Sequence, residues 1–159
     1  MLGRSIWSQL TERVKNGIYD FSVVVPITSA QIKALRATPI TLAPAPGVGF
    51  INEFLGAMLL LDYGGSNAFV DSANNLAVRL GDGTGVIVSE AIETTGVLDQ
   101  TADTITTARA KIDAIVSKAN GEDKALVLHN TGAGEITGNA AGDNIVRVRM
   151  TFRVHSTGF

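Results

Sequence analysis

The sequence predicts a mainly β protein: a single antiparallel domain of jelly-roll or β-sandwich type, with one or two short helices and an N-terminal helical arm. Three observations predict it. Apolar residues recur with period two in several short runs, the pattern of a strand with one face buried. Glycine-rich turns separate those runs, and the 159 residues include 17 glycines, a larger share than the ~7% of an average chain. Helical periodicity appears in few places, whereas a parallel α/β sheet needs a helix after nearly every strand. The length suits one domain. The expected organisation is an arm over residues 1–17 and a β-rich domain over 18–159, with no internal repeat.

Residues 5–15 read as a short amphipathic helix. Ile6, Trp7, Leu10 and Val14 share one face, Thr11, Glu12 and Lys15 lie off it, and Asn16-Gly17 is a stop signal. So short a helix is marginal in water. Its apolar stripe, which holds the only tryptophan of the chain, is expected to dock on its own domain or on a neighbouring chain. Tyr19, Phe21, Val23 and Val25 then alternate with Asp20, Ser22 and Val24, giving an edge strand that Pro26 ends. Ser29 is a candidate cap for one helical turn through Ile32 and Leu35, and Thr38-Pro39 breaks it. Ile40 to Ala43 is a short strand, and Pro44 to Gly47 a rigid turn.

Phe50 to Tyr63 is the most apolar stretch and reads as a long strand buried on both faces, at the centre of a sheet or at a subunit interface. Leu76 to Leu80 alternates, Gly81 to Gly85 makes a hairpin turn, and Val86 to Ile92 returns. Residues 103–119 fit a helix better than a strand. Asp103 is its candidate N-cap, and Ile105, Ala108, Ile112, Ile115, Val116 and Ala119 form its stripe. Leu126 to His129 is a short strand. From Ile145 to His155, Val146, Val148, Met150, Phe152 and Val154 point one way while Arg147, Arg149, Thr151, Arg153 and His155 point the other.

Composition narrows the chemistry. There is no cysteine, so a disulfide framework, thiolate zinc sites and a cysteine nucleophile are excluded. Hydrophobic residues make up 45%, as in a folded domain, and charged residues only 18%, below the ~25% of an average domain, as in a protein that buries surface by associating. Net charge is −2, the sum of +3 over residues 1–50, −6 over 51–100 and +1 over 101–159. That balance argues against a nucleic-acid partner, and its asymmetry suits a partner or second subunit of opposite sign. No secretory signal is expected, and the longest apolar run, Phe54 to Leu61, is too short to cross a bilayer. No membrane partner is expected.

No motif signals catalysis. His129, His155 and Glu135 allow a cupin-type metal site to be imagined, but no His-x-His pair supports it, so no metal or cofactor is expected. Gly132 to Gly138 carries dinucleotide-loop spacing without the helix that must follow, and reads as a loop between strands. Asp82, with Asp62 and Asp71, lacks calcium-loop spacing and is better explained by turn chemistry. The candidate partner-binding residues are therefore Ile6, Trp7, Leu10 and Val14 on the arm, and Arg147, Arg149 and Arg153 on the last strand. An arginine's planar fork suits carboxylates on a subunit or partner; the competing reading is a solvated outer face.

Several segments occur in a telling order: Ser29-Ala30-Gln31-Ile32, Ala37-Thr38-Pro39-Ile40, Pro44 to Gly47, Leu60-Leu61-Asp62-Tyr63-Gly64, Asn75 to Val78, Glu93 to Gly96, Asp99 to Asp103, Leu128 to Gly132 and Val148 to Val154. Together they resemble the small head-associated structural proteins of tailed bacteriophages, the capsid decoration or cement proteins, over roughly residues 20–159. The resemblance implies a compact β-rich module, commonly trimeric, bound to the outer surface of an icosahedral head between major capsid protein subunits, with no catalysis. Its implied partners are the major capsid protein and itself, and its implied location is the virion after synthesis in the host cytoplasm. Residues 1–17 fall outside the resemblance. The alternatives are a tail, fibre or receptor-binding module, which needs an aromatic-lined sugar site, and a jelly-roll metalloenzyme.

Overall fold

A computed structural model describes residues 20–70 and 75–158. Along the chain run β1 (Asp20–Thr28), α1 (Ser29–Lys33), β2 (Ile40–Ala43), β3 (Phe50–Asp62), β4 (Phe69–Val70), β5 (Asn75–Leu80), β6 (Ile92–Glu93), β7 (Thr104–Arg109), α2 (Lys118–Gly121), β8 (Leu126–Asn130), β9 (Thr137–Gly138) and β10 (Ile145–Ser156). Sheet I has the order β1-β10-β3-β7 and sheet II the order β2-β8-β5-β6; β4 and β9 form a small separate ribbon. With that ribbon set aside, the outermost strands in sequence pair with each other, and so on inward: β1 with β10, β2 with β8, β3 with β7, β5 with β6, all antiparallel. A long hairpin rolled up in this way is a jelly roll, and the fold is the antiparallel β-sandwich that the alternation anticipates.

The period-two pattern explains which residues meet between the sheets. From sheet I, Ile27, Leu59, Leu61, Val146, Val148, Met150 and Phe152 point inward; from sheet II, Leu76, Val78, Leu80, Leu126 and Leu128 face them. Each such side chain contributes about 1.5–3 kcal/mol by leaving water. The segment 86–90 seals one flank. It pairs with β5 (Leu80 N–H to Val86 O, 3.0 Å; Val88 N–H to Val78 O, 2.9 Å) and with the end of β7 (Lys111 N–H to Val88 O, 2.9 Å; Glu90 N–H to Arg109 O, 2.9 Å). The returning strand expected over 86–92 is thus divided: 86–90 joins the two sheets, and Ile92–Glu93 completes sheet II.

Five expectations are corrected. Residues 103–119 are not one helix. Thr104 to Arg109 pair with β3 in register Leu61↔Thr104 to Gly56↔Arg109, because a run of β-branched residues suits a pleated surface. Asp103 accepts the Tyr63 N–H at 2.9 Å instead of capping a helix. The cap of α1 is Thr28, one residue before Ser29, in a capping box with Gln31. Pro26 does not end β1, which runs on to Thr28; β1 is a sheet edge, where a missing N–H is tolerated. Finally, β3 is central in its sheet yet buried on one face only: Phe54, Leu59 and Leu61 are inside, while Met58 is exposed.

Candidate binding surface

The uncovered side of β3 belongs to the outer face of sheet I. Strand register places its residues in rows across the four strands. One row is Val24–Arg149–Met58–Thr107, and the next is Pro26–Arg147–Leu60–Ile105. The apolar members form a band: Val24 is 54%, Met58 42% and Ile105 59% exposed. The end of the face toward the start of β1 is charged instead, with the row Asp20–Arg153–Glu53.

Alternation on β10 puts Arg147, Arg149 and Arg153 on this face, as expected, but their surroundings differ. Arg147 bonds Asp62 at 2.8 Å. Arg153 bonds Asp20 at 2.8 Å and lies 3.6 Å from Glu53; the Asp20 hydrogen bond holds its guanidinium above the usual arginine range. Among the described residues Arg149 has no ion pair. Its cross-strand neighbours are Val24 and Met58, and the diagonal positions are Ser22, Pro26, Gly56 and Leu60, none of them charged. Like charge nearby and an apolar setting leave Arg149 as the arginine of the row free to bond a carboxylate from outside. The arm residues Ile6, Trp7, Leu10 and Val14 lie outside the described residues.

A second exposed apolar feature is the loop after β7, where Ile112 is 97% and Ile115 91% exposed. Sequence reasoning missed both, because it assigned them to the buried stripe of a helix. It also placed Ile105 on that stripe.

The imagined metal trio is not brought together. His129 is on β8 of sheet II and buried, its Nε2 donating to Arg36 O at 3.2 Å. Burial, and after it the charge of Arg79, hold its pKa below the ordinary value. His155 is on sheet I beside Glu53, at 2.7 Å. Glu135 accepts the backbone N–H groups of Arg36 and Ala37 at 2.9 and 2.8 Å. Among the described residues no group of three or more His, Asp or Glu is placed to hold a metal ion. Asp82 accepts from the Thr84 backbone and hydroxyl at 2.7 Å each, the Asx-turn chemistry its sequence suggests. The Gly132 to Gly138 segment joins two strands, β8 and β9. Among the described residues no helix is long and apolar enough to cross a membrane.

No protein-family model matches the chain, and no curated protein matches it. Among solved structures, it is similar to a chain in the cryo-EM structure of a semi-empty VLP of the giant freshwater prawn (Macrobrachium rosenbergii) nodavirus, with 8% identity and a TM-score of 0.30; the match covers 89% of this chain and 96% of that one. It is also similar to a chain in the structure of the infectious bursal disease virus Gx strain, with 9% identity and a TM-score of 0.24, covering 87% of this chain and 40% of that one.

Proposed function

We propose that this chain is a structural protein of a virion, a decoration or cement protein that binds the outer surface of a tailed-phage head and braces contacts between major capsid protein subunits. The observation that carries the reading is the outer face of sheet I, where an apolar band surrounds an arginine that no carboxylate of the described residues answers. Such a face suits adhesion to an apolar surface that carries acidic groups. The resemblance over residues 20–159 supplies the partner: the major capsid protein, with a second and third copy of this chain completing a homotrimer.

Magnitudes fit an adhesive role. Four strands ~4.8 Å apart and about nine residues long at ~3.3 Å each present about 600 Å². A standard interface takes about 800 Å² from each partner, so the sheet face needs additional surface, for which the arm and the Ile112 loop are available. One charge-assisted hydrogen bond adds about 1.5–3 kcal/mol. Symmetric repetition over a head then multiplies modest contacts into avidity.

The test is co-sedimentation of the purified protein with expanded heads that lack it. The full chain is expected to pellet with the heads. Arg149→Glu is expected to weaken binding at least tenfold and leave the fold intact, and deletion of residues 1–17 to weaken it with the β domain still folded. Equal binding by Arg149→Glu and by the truncated chain would remove the basis of this reading.

A further inference from the structure

We propose that the amphipathic segment at residues 5–15 lies across the apolar band on the outer face of sheet I of its own chain. The band takes Val24 and Pro26 from β1, Met58 and Leu60 from β3 and Ile105 from β7, with Arg147 and Arg149 of β10 standing between the first two strands, and none of the described elements covers it. Solvent-facing apolar groups collected in one patch mark a surface that something covers. The segment has the matching problem: an apolar stripe of Ile6, Trp7, Leu10 and Val14 on a helix too short to persist alone in water. Docking buries both stripes at once.

Where the chain enters the described structure favours this occupant. It does so at Asp20, the first residue of β1, an edge strand of sheet I that itself carries Val24. Four linking residues, 16–19, reach about 13 Å, and Val24 lies about 13 Å along the strand from Asp20. An eleven-residue helix is about 16 Å long, against about 14 Å from β1 to β7 across three strand spacings. Tethered there, a helix over 5–15 can reach the band and has the length to cross it. A tether this short holds it at millimolar effective concentration, above that of a separate, unassociated chain in dilute solution. Arg147 and Arg149 have stems long enough to pass a docked helix and keep their guanidinium groups in water. Docked in this way the arm takes up the apolar band while Arg149 stays open, so the partner contact of the proposed function then rests on Arg149 and the outer side of the arm rather than on the bare band.

Trp7, the single tryptophan, reports the outcome in the full chain. Its emission is expected at short wavelength, with quenching by acrylamide at least threefold slower than in urea-unfolded protein, and unchanged by dilution. Met58→Lys and Ile105→Lys are each expected to move emission toward the unfolded position and to open trypsin cleavage at Arg13 and Lys15. Ile112→Lys, outside the band, is expected to do neither. Unfolding midpoints followed by circular dichroism show that the variants are folded. A Trp7 as exposed in the native chain as in the unfolded one overturns the proposal. So does a shielded Trp7 indifferent to both band substitutions, or shielding lost on dilution, which would assign the segment to a neighbouring copy. These measurements need no capsid, so failure to bind heads leaves them readable, and their failure leaves head binding to be judged separately.

Discussion

The two sheets of this jelly roll differ in what happens on their outer sides. On sheet II, several residues that point away from the core are nevertheless buried: Ala77 is 2%, Val127 3% and His129 8% exposed, while Thr41 at the edge is open and Arg79 half-buried. Loops of the same chain close over them. Arg36 O receives the His129 ring, and a Cβ added at Gly83 would lie 2.8 Å from that ring and 3.3 Å from Pro39. On sheet I the equivalent positions of β1, β3 and β7 leave Val24, Met58 and Ile105 open. Over these residues sheet II therefore carries a third layer of loops. Sheet I, in the described residues, has an apolar outer face left open, and the proposed adhesive role falls on that face.

Adjacent residues on β3 test the contrast most strongly. Leu59 points into the core and is 2% exposed, so Leu59→Ala is expected to cost about 2–5 kcal/mol. Met58→Ala, one residue away on the open face, is expected to change stability by no more than about 0.5 kcal/mol in a chain lacking residues 1–17, and by more in the full chain. Thermal melts of the two variants in both backgrounds give the comparison; equal losses would mean that β3 is covered on both sides by the β domain itself.

Sheet II's outer cover is the next target. Gly83→Ala drives a methyl against the His129 ring and is expected to cost about 1–3 kcal/mol by overpacking, read as a lower urea midpoint with unchanged slope. A midpoint equal to that of the native chain would show that the cover gives way freely.

The smallest effect is a dependence on pH. The His129 imidazole has a folded pKa below its ordinary 6.5, first because of burial and then because of Arg79. The unfolded chain therefore takes up this proton more readily than the folded one, and stability rises with pH. The contribution is complete above the unfolded value. It is lost as pH falls through 6.5 toward the lower folded value. His129→Gln is expected to flatten the stability profile in that interval. Asp82 and Asp143, whose pKa values are lowered from 3.8 chiefly by side-chain hydrogen bonds from Thr84 and Asn139, lose their contributions only in more acid solution, below that value. A profile that falls identically in wild type and His129→Gln would assign the effect to other groups.

Much of this architecture was legible in the sequence where one face of a strand is apolar and the other polar. β10 alternates valine, methionine and phenylalanine with arginine and threonine, and its orientation followed directly. β7 was not legible, because its pattern is inverted: Thr104, Thr106 and Ala108 face inward while Ile105 faces out. With threonines inside, the apolar residues that remain fall at helical spacing by coincidence. The open side of β3 was hidden for a related reason, since an apolar residue on an outer face looks the same in sequence as one in a core. The arginine row itself could be read from alternation. Which arginine is unanswered could not, because Asp20, Asp62 and Glu53 arrive from strands far away in the chain.

The most direct measurement is an image reconstruction of expanded tailed-phage heads incubated with the chain. The account predicts jelly-roll density outside the shell, in threefold groups, with the Arg149 face of sheet I and the N-terminal segment against the major capsid protein. Density inside the shell or on the tail, or a sheet I face turned to solvent with sheet II against the capsid, would contradict it.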